Sequence, residues 1–536
     1  MAENSFDIQE ILLRMRHPLM RRIAELRGCA TDCFDGTFND YAGVLESAGR
    51  IAGQLIAPAA AAVDREGACL ADDGRVVLAE GTRRGLEAMH EAGFSGLSLP
   101  EAYGGRNMPY SVFCAVSEIL SRADASFQNV WGLQSCAAVI YESGTDEQKE
   151  KYLRMVCDGC TMSMDLTEPD AGSDLQNVRL RADWDGDAGC WRLNGVKRFI
   201  TNGDSDIHLV LARSEEGTTD GRGLSLFIYD KRDGGAVVTH VEDKMGIHGS
   251  PTCRLTFRNA RAELLGERRL GLIKYVMSVL NGARVGIAAQ SVGISDAAWR
   301  RAVSYAAVRV QSGQTIDRNP AVYQMLAVMK ARLEASRSLL YATVRHIDIA
   351  KTSADRAEAR AHSRLADALT PLLKAISSEF ANQNTYDCIQ VHGGNGYIRG
   401  AVAERLYRDA RVTSIYEGTT QIQVSSALRY VMDGTYSRMT ECGDSPALCR
   451  MRELLDSSVA AVSAMGQPEM TAFCARRLVE TAAYAVMGSL LAQDAAAAGG
   501  LLSAPLAVFL DWALAGAEGN YSYISSLRPE SLALYR

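Results

Sequence analysis

The chain has 536 residues, 47% of them hydrophobic, which is enough to bury more than one core and on length suggests about three domains. Its 57 Lys and Arg against 64 Asp and Glu give a formal charge of -7, which argues against a protein held to nucleic acid or anionic membrane by its overall field. Residues 1–7 lack the basic and apolar regions of a secretory signal, so the 13 cysteines are expected in a reducing cytoplasm, mostly as buried small hydrophobes.

Taken in chain order, residues 1–37 read as a helical extension, with Ile11, Leu12, Met15 and Leu19 spaced for one helix face and no chemistry legible in it. Residues 38–159 read as a helical domain, with helices near 45–55, 77–92 and 112–120 and a capping box at Thr145 and Gln148. Cys157 and Cys160 have redox or zinc spacing, but no second Cys or His pair stands near them, and no metal is expected. Residues 160–270 change to short alternating runs, and Asn194-Gly195 between 190–193 and 196–201 predicts a two-residue hairpin. The helical period returns over 271–432, where Asn319-Pro320 is a helix start and long segments with short joins predict a bundle. Residues 433–536 form an Ala- and Leu-rich helical tail in which acidic side chains outnumber arginines and lysine is absent. The most lipid-like stretch, 495–510, is interrupted by Gly499, Gly500 and Pro505 and followed by Asp511; it reads as packed helix, since a membrane span needs about 20 apolar residues. The expected fold is α+β: a helical domain, a β-barrel-like middle domain, a helical bundle and the extra tail.

Four segments carry chemistry. In 408–423, Glu417 is a lone carboxylate between Tyr416 and Gly418 in an apolar, hydroxyl-rich run, where desolvation suits it to proton abstraction; a solvated helix-end glutamate is the alternative. In 164–174, the hydroxyls of Thr167 and Ser173 and the amides around Ala171 and Gly172 can serve a flat heteroaromatic ring or phosphate oxygens, or simply a capped turn. Residues 197–203 end a strand with an aromatic, a hydroxyl and a turn. The glycines of 390–397 lack dinucleotide-fingerprint spacing, and His392 by itself reads as a packed or turn histidine.

Together and in this order, Leu-Thr-Glu-Pro-x-Ala-Gly-Ser-Asp at 166–174, Phe-Ile-Thr-Asn-Gly at 199–203, Gly-Gly-Asn-Gly-Tyr at 393–397 and Ile-Tyr-Glu-Gly-Thr-Thr-Gln at 415–421 resemble the acyl-CoA dehydrogenase family. The resemblance spans 38–432 and includes Leu-Pro-Glu-Ala-Tyr-Gly-Gly at 99–105; the remainder is similar to the extensions of longer members. It implies FAD between the β domain and the bundle, with Leu166 and Thr167 at the isoalloxazine edge and Ser173 toward the pyrophosphate and the CoA ester. Phe199, Ile200 and Thr201 would pack on and hydrogen-bond the flavin, and Thr419 and Gln421 would hold the adenine half. Arg309, Gln390, Gly393 and Gly394 would reach the FAD of a neighbouring subunit, which implies a homodimer or homotetramer. Glu417 matches the base that takes the proton next to the thioester as the neighbouring carbon passes hydride to the flavin, giving a trans-2-enoyl-CoA. Tyr416, Asn281 and Arg284 match substrate-lining positions, and with no carboxylate in 281–284 Glu417 is the sole candidate base.

The resemblance further implies a β-oxidation role and electron transfer to an electron-transfer flavoprotein. An acyl-CoA oxidase and a non-enzymatic DNA-associated flavoprotein are the alternatives; the acidic tail stands against the second. Three positions depart from the family: Phe199 replaces the common tryptophan, Ser312 the common phenylalanine, and Asp165 adds an acid near the expected flavin pocket.

Overall fold

The computed structural model describes residues 7–30 and 33–536, and the chain divides into two units, one built on Val44–Gly286 and one on Ile8–Gly43 and Ile287–Arg536. In the first, period-two alternation places successive side chains on opposite faces of a seven-stranded sheet. Its strands run Met162–Asp165, Ile207–Arg213, Arg181–Asp185, Cys190–Thr201, Thr252–Leu265 and Leu224–Asp230, with Ala236–Val241 added on Thr252–Leu265. Leu224–Asp230 also pairs with Ile207–Arg213, so the sheet returns on itself. Leu209, Leu211 and Ile228 pack with Tyr152, Leu153 and Val156 of the helical part, while Val210, Phe227 and Leu255 fill the opposite core. The capping box is present: Thr145 Oγ1 accepts the Gln148 amide at 3.2 Å and Gln148 Oε1 accepts the Thr145 amide at 3.1 Å.

The hairpin expected at Asn194-Gly195 is not there. Strand Cys190–Thr201 runs straight through both residues, and the turn lies earlier, where Asp185 pairs with Cys190. Gly195 sits at φ +146 where the register on Thr252–Leu265 skips, and a Cβ there would lie 2.9 Å from the Leu180 backbone. Close approach and a bulge, not a turn, require the glycine. Asn194 Oδ1 accepts the Asn259 amide at 2.8 Å across the same irregularity.

In the second unit, helices Pro320–Thr352 and Arg356–His392 form the long members of a bundle joined by Val402–Arg411 and Thr420–Met432. Asn319 caps the first by accepting the Ala321 amide at 3.0 Å ahead of Pro320. The tail continues as Pro446–Ala464, Pro468–Ala497 and Ser503–Ser526. The stretch 495–510 is therefore not one packed helix: Gly499 and Gly500, at φ +55 and +95, turn the chain between two. By length and composition, one helical stretch among the described residues could cross a membrane, Gly271–Ala306. It carries Asp296, 1% exposed and ion-paired to Arg337 at 3.3 Å, as a bundle helix does.

The N-terminal extension is two helices, Gln9–Met15 and Pro18–Leu26, because Pro18 holds His17 extended and the His17 ring accepts the Leu19 amide at 3.1 Å. Leu19 thus leaves the face shared by Ile11 and Met15. The extension also carries chemistry the sequence reading missed. Arg14, 1% exposed, pairs with Glu334 at 2.8 Å and with Asp494 of the tail at 3.1 Å. Arg337 and Lys330 complete the shell of Glu334 at 2.6 and 2.9 Å. Burial would raise the Glu334 carboxyl, but these three cations outweigh it and hold it at about 2.

Candidate active site

In the first unit, strand Met162–Asp165 runs out into 166–174, which folds back through the Glu168 amide donating to Ala171 O at 2.9 Å. The Thr167 carbonyl accepts the Arg198 amide at 2.9 Å and the Leu166 carbonyl accepts Lys197 Nζ at 2.9 Å, which brings the second and third sequence motifs side by side. Lys197 is fully buried and also pairs with Glu168 at 2.9 Å. Glu168 in turn accepts the amides of Arg179 and Leu180 at 2.7 and 2.9 Å. Burial lowers the Lys197 pKa against the opposing pull of Glu168. Both residues lie inside motifs that the sequence singles out, yet neither is among the residues to which it gives a role.

Beside this ion pair the strand register breaks between Lys197 and Ile200, and Phe199 stands at φ +59 with 53% of its surface exposed. A bulky residue in the left-handed region is strained, and such strain clusters at binding sites. An aromatic face held outward next to the Thr167 backbone fits a flat ring system. Thr201 is half-buried, Ser173 exposed, and Ile200 buried with its side chain in the barrel core. Asp165 is fully buried, hydrogen-bonded to Ser163 Oγ at 2.7 Å and to the His208 ring at 2.9 Å, so its carboxylate belongs to the β-domain interior. On helix Met277–Ala306, Arg284 donates to Asn281 Oδ1 at 3.0 Å, so two predicted substrate residues touch.

In the second unit, Glu417 lies in the turn between Val412–Ser414 and helix Thr420–Met432. It adopts φ +54, followed by Gly418 at φ +91, and its Oε2 is shielded from solvent. Tyr416 is anchored by its phenol donating to Gln290, a fully buried residue that sequence reading missed. Burial first, and then adjacent Glu417, push that phenol above its ordinary range. The Gly418 carbonyl accepts Lys374 Nζ at 2.6 Å, and Thr420 Oγ1 donates to Glu379 at 2.8 Å. Thr419 Oγ1 accepts the Ile422 amide at 3.4 Å as the helix cap, and Gln421 is exposed.

Elsewhere in this unit Tyr305 stacks on His392 at 4.3 Å and its hydroxyl accepts Asn395 Nδ2 at 2.9 Å, which brings 305–309 and 390–395 together. Arg309, Gln390, Gly393 and Gly394 are all exposed, among Val308 at 75%, Tyr397 at 80% and Ile398 at 64% exposure. Ser312 occupies the turn of a small hairpin at φ +50, between Val310–Gln311 and Gln314–Thr315. Cys157 and Cys160 are half-buried, and burial pushes their thiols up, that of Cys157 to about 11.

Four family models match in chain order: the acyl-CoA dehydrogenase N-terminal domain over 40–160, the middle domain over 163–260, the C-terminal domain over 273–432, and "Acyl-CoA dehydrogenase C terminal" over 438–532. The chain is 37% identical over 417 residues to the 3-methylmercaptopropionyl-CoA dehydrogenase of Ruegeria pomeroyi, covering 73% of this chain and 70% of that one. A solved acyl-CoA dehydrogenase complexed with FAD from Bacillus anthracis has a TM-score of 0.78 over 91% of this chain and 88% of its own, at 24% identity, which shows the fold. A chain of a structure described as the electron transferring flavoprotein of Acidaminococcus fermentans has a TM-score of 0.65 at 33% identity, over 73% of this chain and 97% of that one.

Proposed function

We propose, for a chain that belongs to the acyl-CoA dehydrogenase family, an FAD-dependent α,β-dehydrogenation of an acyl-CoA thioester to the trans-2-enoyl-CoA, with electrons passed to an electron-transfer flavoprotein. The observation that carries the reading is Glu417 itself, a carboxylate held in a left-handed turn whose flanks are anchored on buried Gln290 and on Glu379. A base must be presented in one geometry to remove a weakly acidic C–H, and an anchored turn does that.

The outward Phe199 ring beside the Thr167 backbone fits the flavin, with Leu166, Thr201 and Ser173 around it, while Ile200, whose side chain fills the barrel core, offers only its backbone. Bound FAD supplies the hydride acceptor. Of the chain's own groups, Glu417 takes the proton from the carbon next to the thioester, and its backbone amide contributes to stabilising the negative charge that builds on the thioester oxygen. Asn281 and Arg284 in the first unit, and Tyr416 in the second, are the residues proposed to contact the ester and CoA. Thr419 and Gln421 hold the adenine half, Thr419 while it caps its helix. Arg309, Gln390, Gly393 and Gly394 serve the FAD of a second subunit, a reading supported by their exposure amid apolar surface, so a homodimer or homotetramer is part of the proposal.

The test is an anaerobic titration of the purified yellow protein with acyl-CoA esters of different chain length, including 3-methylmercaptopropionyl-CoA, while the visible flavin band is followed. Bleaching by one group of esters is the expected result. A yellow protein that no ester bleaches, or a colourless one that takes up no FAD, overturns the proposal.

A further inference from the structure

The turn that carries Glu417 rests against helix Arg356–His392. Two successive left-handed residues, Glu417 at φ +54 and Gly418 at φ +91, set the Gly418 carbonyl 2.6 Å from Nζ of Lys374, a side chain with 0% exposure. Gln423 Nε2 approaches the same oxygen at 3.4 Å, and it would lie only 2.4 Å from a Cβ at Gly418, so the glycine is required both by its φ and by this packing. On the same helix Glu379 accepts the Thr420 hydroxyl at 2.8 Å, and on the other side of the turn Tyr416 is fixed on Gln290. The flanks are thus anchored through side chains, and the ammonium of Lys374 acts on the backbone between them.

A charged donor gives a bond roughly twice as strong as a neutral one. That extra strength has a use here, because Glu417 is a non-glycine residue in a conformation that persists only when its surroundings enforce it.

We propose that Lys374 is a positioning residue for Glu417, holding the 417–418 turn by the Gly418 carbonyl so that the carboxylate meets the substrate in one conformation. The inference rests on the reading of Glu417 as the base and extends it to a residue outside every motif that pointed to the site.

The test is a double-mutant cycle of Lys374→Met and Glu417→Gln, read by rapid anaerobic mixing with whichever acyl-CoA ester bleaches the unaltered protein fastest. FAD content, ester affinity and unfolding midpoint are measured alongside. Lys374→Met is expected to keep FAD and to bind the ester within about threefold, while bleaching slows about 100-fold, the scale of a misplaced reacting group. In the Glu417→Gln background the same change is expected to alter the residual rate less than about twofold, because two residues acting as a unit are non-additive. Near-normal bleaching by Lys374→Met, or a full further loss in the Glu417→Gln background, overturns the proposal. Should Lys374→Met not accumulate folded, Lys374→Gln, which keeps a neutral donor, is read by the same criteria. Near-normal bleaching by Glu417→Gln would instead remove the base reading, and failure of every ester on the unaltered protein would remove the proposed function.

Discussion

Glu334 and Glu417 belong to the same unit and are opposite uses of one side chain. Glu334 sits in the middle of helix Pro320–Thr352, on regular backbone, with Arg14, Lys330 and Arg337 within 2.9 Å and its carboxyl held at about 2. Glu417 sits on strained backbone in a turn between helices. Shielding of a carboxylate oxygen, complete in Glu334 and confined to Oε2 in half-buried Glu417, therefore says little by itself about chemistry. Regular backbone and a shell of cations mark Glu334 as one that holds the fold together, while the left-handed turn is what supports the proposal that Glu417 is aimed at a substrate.

The largest expected effect falls on the aimed glutamate. Glu417→Gln removes a proton acceptor and almost no volume, so the rate of flavin bleaching by an acyl-CoA should fall by about 10³–10⁴, with FAD content and unfolding midpoint unchanged. Glu334→Gln should do the reverse. It leaves three cations around a neutral amide, so denaturant unfolding should show a loss of about 3–5 kcal/mol, while the rate per bound flavin in the protein that remains folded is kept. If the two substitutions had similar profiles, the distinction between holding and aiming would be lost.

Acid tests the buried interior by a separate route. Burial, His362 and Arg345 depress the His346 imidazole to about 3, and burial and Arg345 depress that of His17 to about 4 against a pull from Asp494. Both rings are neutral in the folded protein and become charged more readily once it unfolds. Their contribution to stability is therefore complete above the ordinary histidine pKa of about 6.5 and is lost as pH falls from there toward 4 and 3. The unfolding midpoint should drop between pH 7 and pH 5, before the Glu334 carboxyl begins to titrate. A flat stability profile over that range would contradict the burial of these rings.

The smallest effect concerns the strained aromatic of the other unit. Phe199→Asn places a residue tolerant of left-handed backbone at φ +59, so the FAD-free protein should gain roughly 1 kcal/mol while FAD is lost faster on dilution. A gain in stability with unchanged FAD retention would mean that the exposed ring serves no cofactor.

The parts of the proposed site that the sequence suggested are those in which a short stretch carries its own chemistry. Glu417 stands out beside Tyr416 and Gly418, and the order of the four segments points to the family that the domain matches show. Lys197 and Arg14 were illegible for one physical reason. Alternation in Val196-Lys197-Arg198 reads the lysine as facing water, yet Lys197 has 0% and Val196 36% exposure, because Glu168 neutralises the buried ammonium from 29 residues away. Arg14 likewise sits on what reads as a polar helix face, and its partners Glu334 and Asp494 are remote. Asn194-Gly195 misleads by the opposite route: the dipeptide suits a tight turn, but the approach of Leu180, a contact that appears only after folding, is what demands the glycine.

The ion pair between Arg14 and Asp494 joins residues 480 positions apart. On a ribosome adding about 5–20 residues per second, Arg14 therefore emerges roughly half a minute to a minute and a half before its partner exists. Throughout that interval the first helix has no complete place to dock. The docking of this segment is completed only after the tail helix that carries Asp494 has been added, so its anchorage waits on the chain between them.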